Sequence, residues 1–99
     1  RVDRKVKYLG YRIELDDIER NILTLNGVTS CAVIAKRDTK NIVKSITAFV
    51  VGNNIEKETL KKELSLKIPG YRMPKTIKII PQMPINQNGK IDRKELEKL

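Results

Sequence analysis

Apolar side chains repeat every three or four residues in two parts of the chain, a period that predicts two amphipathic helices. The first helix carries this stripe: Leu15, Ile18, Ile22 and Leu25. Its first turn is acidic, which suits the positive end of a helix: Asp16, Asp17 and Glu19. The second helix carries a similar stripe: Leu60, Leu64 and Ile68. We expect Asn26-Gly27 to end the first helix and Pro69 to end the second.

Three β-branched, apolar stretches predict strands. Val28 to Ala35 and Ser45 to Val51 should pair as an antiparallel hairpin across the polar turn at 38–41. A third segment, Thr76 to Ile80, alternates isoleucine with lysine and predicts a half-buried strand. Because a helix separates the second strand from the third, we expect a crossover connection onto the same sheet.

Both ends of the chain add smaller elements. Two short extended pieces flank Gly10 and predict an N-terminal hairpin-like loop. Residues 82–89 lack periodicity and predict an exposed, ordered loop, followed by a helix that Asp92 and Glu95 begin as a capping box. Leu96 and Leu99 form its narrow apolar stripe. The predicted fold class is α+β: a sheet of roughly three strands, flanking helices and the N-terminal hairpin-like loop.

Length and composition restrict the function. A chain of 99 residues suits a single domain with one core. It contains no histidine, which removes the usual acid–base residue, Ser/His and Cys/His nucleophiles and most zinc sites, so we predict no metal site. The single cysteine, Cys31, lies in an apolar stretch and should be a small buried side chain. No apolar run could cross a bilayer and no signal peptide is apparent, so we expect a cytoplasmic location.

The net charge of +9 favours an anionic partner, which could be nucleic acid, a nucleotide or an acidic protein. Nucleic-acid binding would call for a concentrated basic patch with stacking aromatic residues. Here the basic residues are scattered, and four aromatic residues could stack: Tyr8, Tyr11, Phe49 and Tyr71. Charge alone therefore leaves the partner open.

Three separated motifs carry more specific information. They extend from Arg1 to Leu15, from Ile68 to Pro74, and from Met83 to Arg93, the last containing Asn88-Gly89-Lys90. In this order and at these separations they resemble the C-terminal subdomain of the adenylate-forming enzymes: amino-acid adenylation domains, acyl-CoA synthetases and firefly-type luciferases. The form of the motifs is nearest to peptide-synthetase adenylation domains and D-alanine:carrier-protein ligases. The resemblance covers essentially the whole chain.

The resemblance implies a function for residues 1–99 as a single C-terminal lid subdomain, inactive alone. Such ligases join a carboxylate substrate to AMP at the expense of Mg-ATP and then pass the acyl group to a phosphopantetheine thiol. Lys90, in the loop 82–92, matches the catalytic lysine that bridges the substrate carboxylate and the α-phosphate. Asp3, within the hinge segment 1–5, matches the hinge position, and Arg1 matches an arginine that contacts the nucleotide ribose.

The loop after the hinge also has an implied role. It matches the segment that lines the pantetheine path and faces the carrier protein: Tyr8, Leu9, Gly10, Tyr11 and Arg12. The absence of a side chain at Gly10 would keep that narrow path open, although a simple hairpin turn explains the glycine equally well. Tyr71 and Pro74 are expected to shape the entrance to the third strand.

The chain departs from the family pattern at several positions. Lys5 stands where glutamine is favoured, Leu9 where arginine is frequent, and Arg72 where methionine is usual. Asn86-Gln87 replaces a common Thr-Pro, which could alter the rigidity of the loop that bears Lys90.

These observations predict the mobile subdomain of an amino-acid-activating ligase. Its partners would be an N-terminal adenylation subdomain, an amino-acid substrate, ATP or AMP with Mg²⁺ bound mainly by that other subdomain, and a carrier protein with phosphopantetheine. Two alternatives remain: a basic interaction module that docks a carrier protein, and a nucleic-acid-binding domain suggested by charge alone.

Overall fold

Three strands form the central sheet, and helices and a separate hairpin pack around it. The computed structural model describes residues 5–8, 10–40, 42–68, 70 and 73–97. In chain order its elements are β1 (Lys5–Tyr8), β2 (Tyr11–Glu14), α1 (Leu15–Leu23), β3 (Val28–Arg37), β4 (Val43–Gly52), α2 (Lys57–Ser65), β5 (Thr76–Ile79) and α3 (Arg93–Glu97). The predicted α+β class, with its N-terminal hairpin, is confirmed.

The sheet has the strand order β3-β4-β5 and mixed direction. β3 and β4 are antiparallel, with Val33 opposite Ala48, whereas β4 and β5 are parallel, with Ala48 opposite Ile77. The helix α2 lies in the connection between the two parallel strands. Both the predicted hairpin and the predicted crossover are therefore confirmed, because parallel neighbours need a long connection of this kind.

Alternate residues of β3 serve opposite faces of the sheet, as the two-residue period of a strand requires. Cys31 and Val33 join a large apolar cluster with α1 and α2, whereas Ala32 and Ile34 join a smaller one with α3. The larger cluster contains the stripe residues predicted for both helices: Leu15, Ile18, Ile22, Leu25, Leu60, Leu64 and Ile68. The smaller contains Phe49 and Leu96. The core thus has two layers on either side of one sheet.

The ends of several elements differ from the prediction. α2 ends at Ser65, so the prediction that Pro69 ends it is wrong; Pro69 itself lies outside the described residues. The chain tightens there into a turn in which the Leu66 N–H donates to the Glu63 carbonyl oxygen and the Lys67 N–H donates to that of Leu64. The Ser65 hydroxyl donates to the Lys62 carbonyl oxygen. Contacts of this kind close a helix before any proline is needed.

The strands β3 and β4 are both longer than predicted, reaching Arg37 and Gly52. Pairing across the hairpin extends them into residues whose own pattern is polar. α1 ends at Leu23 with Thr24 as its C-cap, so the prediction that Asn26-Gly27 ends it is wrong. Gly27 has a φ of +86° and lies in the turn that leads into β3. No helix within the described ranges is long and apolar enough to cross a membrane.

Candidate functional site

Lys90 lies in a loop closed by its own backbone. We call residues 82–92 the lysine loop. Ile85 and Ile91 form an isolated antiparallel bridge, and the Asp92 N–H donates to the Pro84 carbonyl oxygen at 2.8 Å. Between them, the Asn86 N–H donates to the Lys90 carbonyl oxygen at 2.8 Å. Residues 85–90 are all exposed. The prediction of an exposed, ordered loop is confirmed, and its order comes from backbone pairing that the sequence pattern did not indicate.

The side chain of Asn86 supplies a second set of contacts in this loop. Its Oδ1 accepts the backbone N–H of Asn88 at 2.9 Å and that of Lys90 at 3.1 Å. Gly89 closes the turn with a φ of +76°, and its N–H donates to the Asn86 carbonyl oxygen. A Cβ on Gly89 would meet no atom within 4 Å, so the backbone angle accounts for this glycine, not crowding.

The ammonium group of Lys90 is free to meet an anion. The side chain is exposed, and within the described part of the chain it has no hydrogen-bond or ion-pair partner. No carboxylate of the described residues therefore neutralises it. A compact ammonium on a braced backbone is suited to a phosphate or a carboxylate, which it attracts through charge.

An ion pair anchors the end of the lysine loop to the rest of the domain. The Arg93 guanidinium donates to both carboxylate oxygens of Glu19, at 3.1 and 3.3 Å. The same carboxylate accepts the Val33 backbone N–H at 2.7 Å. Because β3 is an edge strand, this contact satisfies one of its backbone donors. Glu19 thus joins α1, β3 and α3, and its side chain is only 14% exposed.

Helix α3 shows the first of the two contacts that define a capping box. The carboxylate of Asp92, the last residue of the lysine loop, accepts the Glu95 N–H at 3.2 Å and so caps the helix. Leu96 is fully buried, as expected for its stripe, while Leu99 lies outside the described residues.

The second predicted site is the N-terminal hairpin, β1 and β2. Val6 lies opposite Ile13, and both are buried in the larger cluster. Lys7 lies opposite Arg12, and both are exposed. Two cations in direct cross-strand pairing repel each other, so an anionic partner would favour this pair.

Of the predicted pantetheine-path residues, Tyr8 ends β1, Gly10 lies in the turn, and Tyr11 and Arg12 begin β2. Tyr8 is half-buried against the larger cluster, whereas its cross-strand partner Tyr11 is 49% exposed. Gly10 has a φ of +82°, and a Cβ there would meet no atom within 4 Å. Within the described residues, the backbone angle of the turn is therefore the reason for a glycine at position 10. A side chain there could obstruct the pantetheine path only if a partner protein formed the other wall of that path.

The two predicted sites lie on opposite faces of the sheet. Val6 and Ile13 of the hairpin belong to the cluster that contains Cys31 and Val33. Ile91, next to Lys90, packs against the cluster on the opposite face. The tertiary structure therefore does not bring Lys90 and Arg12 together on one face.

Several predicted site residues lie outside the described residues. They are Arg1, Asp3 and Leu9, together with Tyr71. Their expected roles stay predictions.

The sequence pattern does not indicate the contacts that Glu19 and Asn86 make in the structure. The acidic first turn of α1 predicts only a charge role for Glu19, whereas its side chain reaches β3 and Arg93. The family pattern marks Asn86 only as a departure from threonine. Its signal is chemical: a short side chain with a carbonyl oxygen, here three residues before Gly89, commonly accepts backbone N–H groups.

Comparison with known proteins identifies the family of this chain. Residues 17–90 match the AMP-binding enzyme C-terminal domain, a protein family. Zwittermicin A synthase ZmaJ of Bacillus cereus is 43% identical over 96 residues, 97% of this chain and 18% of that protein. The D-alanine--D-alanyl carrier protein ligase of Lactococcus lactis is 36% identical over 97% of this chain and 21% of that ligase. The chain thus spans 18% to 21% of the length of these two relatives.

Solved structures show the same fold. A Mycobacterium tuberculosis fatty acyl CoA synthetase superposes with a TM-score of 0.81 at 25% identity, covering 96% of this chain and 19% of that one. A Brucella canis acyl-CoA synthetase superposes with a TM-score of 0.80 at 27% identity, covering 99% of this chain and 19% of that one. In each case the similarity involves a small part of a larger enzyme.

Proposed function

Because this chain belongs to the family of AMP-binding enzyme C-terminal domains, we propose that it is the mobile C-terminal subdomain of an amino-acid-activating ligase. The ligase forms an aminoacyl-AMP from ATP and then transfers the aminoacyl group to the phosphopantetheine thiol of a carrier protein. The observation that carries the proposal is the exposed, unneutralised ammonium of Lys90 on a braced loop. The choice of an amino acid rests on the synthase and the carrier-protein ligase at 43% and 36% identity.

Lys90 acts in the first half-reaction. The substrate carboxylate attacks the α-phosphate of ATP, a new C–O–P linkage forms, and pyrophosphate leaves with the electrons of the broken P–O bond. Two anions must approach each other, and charge moves to the leaving group as the bond breaks. An ammonium positioned between the carboxylate and the α-phosphate lowers this barrier electrostatically, an effect that commonly changes rates by about 10²- to 10³-fold.

No magnesium site is evident among the described residues of this subdomain. Within the described ranges, no group of three or more acidic or thiol side chains is placed to hold a metal ion. In the proposed ligase, the ligands of the metal would belong to the N-terminal subdomain or to ATP.

The placement of the two sites on opposite faces of the sheet supports a rotation between the half-reactions. When Ile91 and Lys90 face the nucleotide, the hairpin with Val6 and Ile13 lies on the other face. The subdomain must turn before Tyr11 and Arg12 can face the same pocket. In this proposal Asp3 provides the hinge, and Arg1 contacts the nucleotide ribose.

Replacement of Lys90 tests this function in the intact ligase that carries this chain as its C-terminal subdomain. Lys90→Ala should lower amino-acid-dependent pyrophosphate exchange by about 10²- to 10³-fold. Transfer from preformed aminoacyl-AMP to the carrier protein should stay close to the wild-type rate. Lys94→Ala is the matched control, because Lys94 is also exposed and lies four residues away.

Unchanged pyrophosphate exchange in the Lys90→Ala ligase would show that the catalytic assignment is wrong. If Lys94→Ala lowered pyrophosphate exchange equally, the effect would come from the loss of any surface charge and not from Lys90 in particular.

Docking of a carrier protein is a second, compatible function. The exposed cations Lys7 and Arg12 lie opposite each other and would gain from an acidic or phosphorylated partner. Titration with carrier protein bearing phosphopantetheine should shift the amide resonances of β1 and β2. Shifts confined to other elements would contradict docking at the hairpin.

A further inference from the structure

Among the residues of the lysine loop, Asn86 makes the most hydrogen bonds within the loop. Asn86 makes four hydrogen bonds within the loop: two through its side chain, to the N–H groups of Asn88 and Lys90, and two through its backbone, with Lys90 and Gly89. Lys90 is held at both its N–H and its carbonyl group, and Asn86 is the partner in both contacts.

We propose that Asn86 is the positioning residue for Lys90 in the adenylation step. It fixes the backbone on both sides of the lysine Cα, so that the side chain leaves the loop in one direction. This inference rests on the proposed function of Lys90. Asn86 does not touch the reacting atoms in this scheme, and acts only through the lysine it holds.

Exposure explains why these few contacts matter. Residues 85–90 are all exposed, so burial of their side chains contributes little to the order of the loop. Exposed segments of this kind open easily unless local hydrogen bonds restrain them. Met83 and Ile91, which pack against the smaller apolar cluster, restrain only the two ends of the loop. The Asn86 side chain therefore supplies two of the few hydrogen bonds that hold the backbone at Lys90.

The chemistry of the position distinguishes suitable replacements from unsuitable ones. Aspartate keeps an oxygen at the place of Oδ1 and can accept both N–H groups. Threonine, the residue common in the family, offers one hydroxyl oxygen on a shorter side chain. Alanine offers no acceptor and leaves only the two backbone contacts. Gln87 is exposed and has no hydrogen bond within the described residues, so Gln87→Ala is a matched control.

Hydrogen exchange tests the structural part of this inference without any assay of activity. In the intact ligase, amide exchange in peptides that span residues 84–92 should become roughly tenfold faster in Asn86→Ala, because an acceptor of two amides is lost. Asn86→Asp should restore slow exchange, and Gln87→Ala should leave it unchanged. Exchange that is equally slow in Asn86→Ala would overturn the proposal.

Kinetics test the consequence. Asn86→Ala should lower the rate of pyrophosphate exchange by about tenfold, since small misplacements of a catalytic group are costly. It should leave the transfer of a preformed aminoacyl-AMP to the carrier protein unchanged. A merely structural role would slow both half-reactions together, and that result would also overturn the proposal.

A double variant separates failure of this inference from failure of the proposed function. In a Lys90→Ala background, Asn86→Ala should cause no further loss of pyrophosphate exchange, because the lysine it positions is gone. If Lys90→Ala alone has no effect, the function assigned to Lys90 is wrong. If Lys90→Ala is severe but Asn86→Ala is neutral, only the positioning role is wrong.

Discussion

On one face of the central sheet, sixteen buried apolar residues of the described chain form a continuous cluster, whereas the opposite face has four. The N-terminal hairpin belongs to the first face and is held by the packing of Val6 and Ile13. The lysine loop belongs to the second and is held by hydrogen bonds and by the Glu19–Arg93 ion pair. The face that carries Lys90 thus has less hydrophobic support than the other face.

This difference has a physical consequence for dynamics. Apolar burial ties residues into the cooperative unfolding of the whole domain, whereas a few polar contacts on a short segment can open locally. We therefore expect the lysine loop and α3 to open more readily than the hairpin. In the proposed ligase, Lys90 would then lie on the more adaptable of the two surfaces.

Two fully buried leucines, one on each face, provide the largest test. Leu64 lies in the larger cluster and Leu96 in the smaller. Leu64→Ala should lower the free energy of unfolding by roughly 2–5 kcal/mol, the usual cost of such a cavity. Leu96→Ala should cost less in global unfolding and instead accelerate amide exchange in residues 84–97. Denaturant titration and hydrogen exchange measure the two effects, and equal global losses would contradict the proposed difference between faces.

The ion pair that anchors α3 should have an intermediate effect. Glu19→Ala removes a nearly buried carboxylate and leaves the Val33 N–H and the Arg93 guanidinium without it, so we expect a loss of about 2 kcal/mol in unfolding free energy. Glu14→Ala is the control, because Glu14 pairs with Lys5 on the surface at 49% exposure. Such surface pairs contribute about 0–1 kcal/mol. Thermal melts should separate the variants, and similar melting temperatures would show that the anchor is unimportant.

The hairpin turn should have the smallest effect on stability and a selective effect on function. Gly10→Ala places a side chain at a φ of +82°, which costs roughly 1–2 kcal/mol. We expect transfer to the carrier protein to slow by about tenfold, while pyrophosphate exchange stays unchanged. Gly70→Ala is the control, because a Cβ there also meets open space and its φ is not positive. Loss of pyrophosphate exchange in Gly10→Ala would contradict the proposal that the two faces of the sheet act in different half-reactions.

Local pattern predicted most of the elements. The stripes of α1 and α2, the β3–β4 hairpin and the crossover to β5 all follow from short-range periodicity, and the three motifs led to the family. The end of α2 was missed, because a tightened turn at Leu66 closes that helix four residues before Pro69. Glu19 was missed for a related reason: its partner Arg93 lies 74 residues away.

The sequence by itself determined which residues are apolar at which period, and therefore the elements, their core sides and the lysine on its glycine turn. Only the tertiary structure decided that the hairpin and the lysine loop lie on opposite faces, that Glu19 binds Arg93, and that Asn86 holds Lys90 at two points. Periodicity depends on neighbours within a few residues, whereas the partner of a side chain depends on how distant elements pack. The proposed role of Lys90 follows from its motif, but the residues that support Lys90 can be found only in the fold.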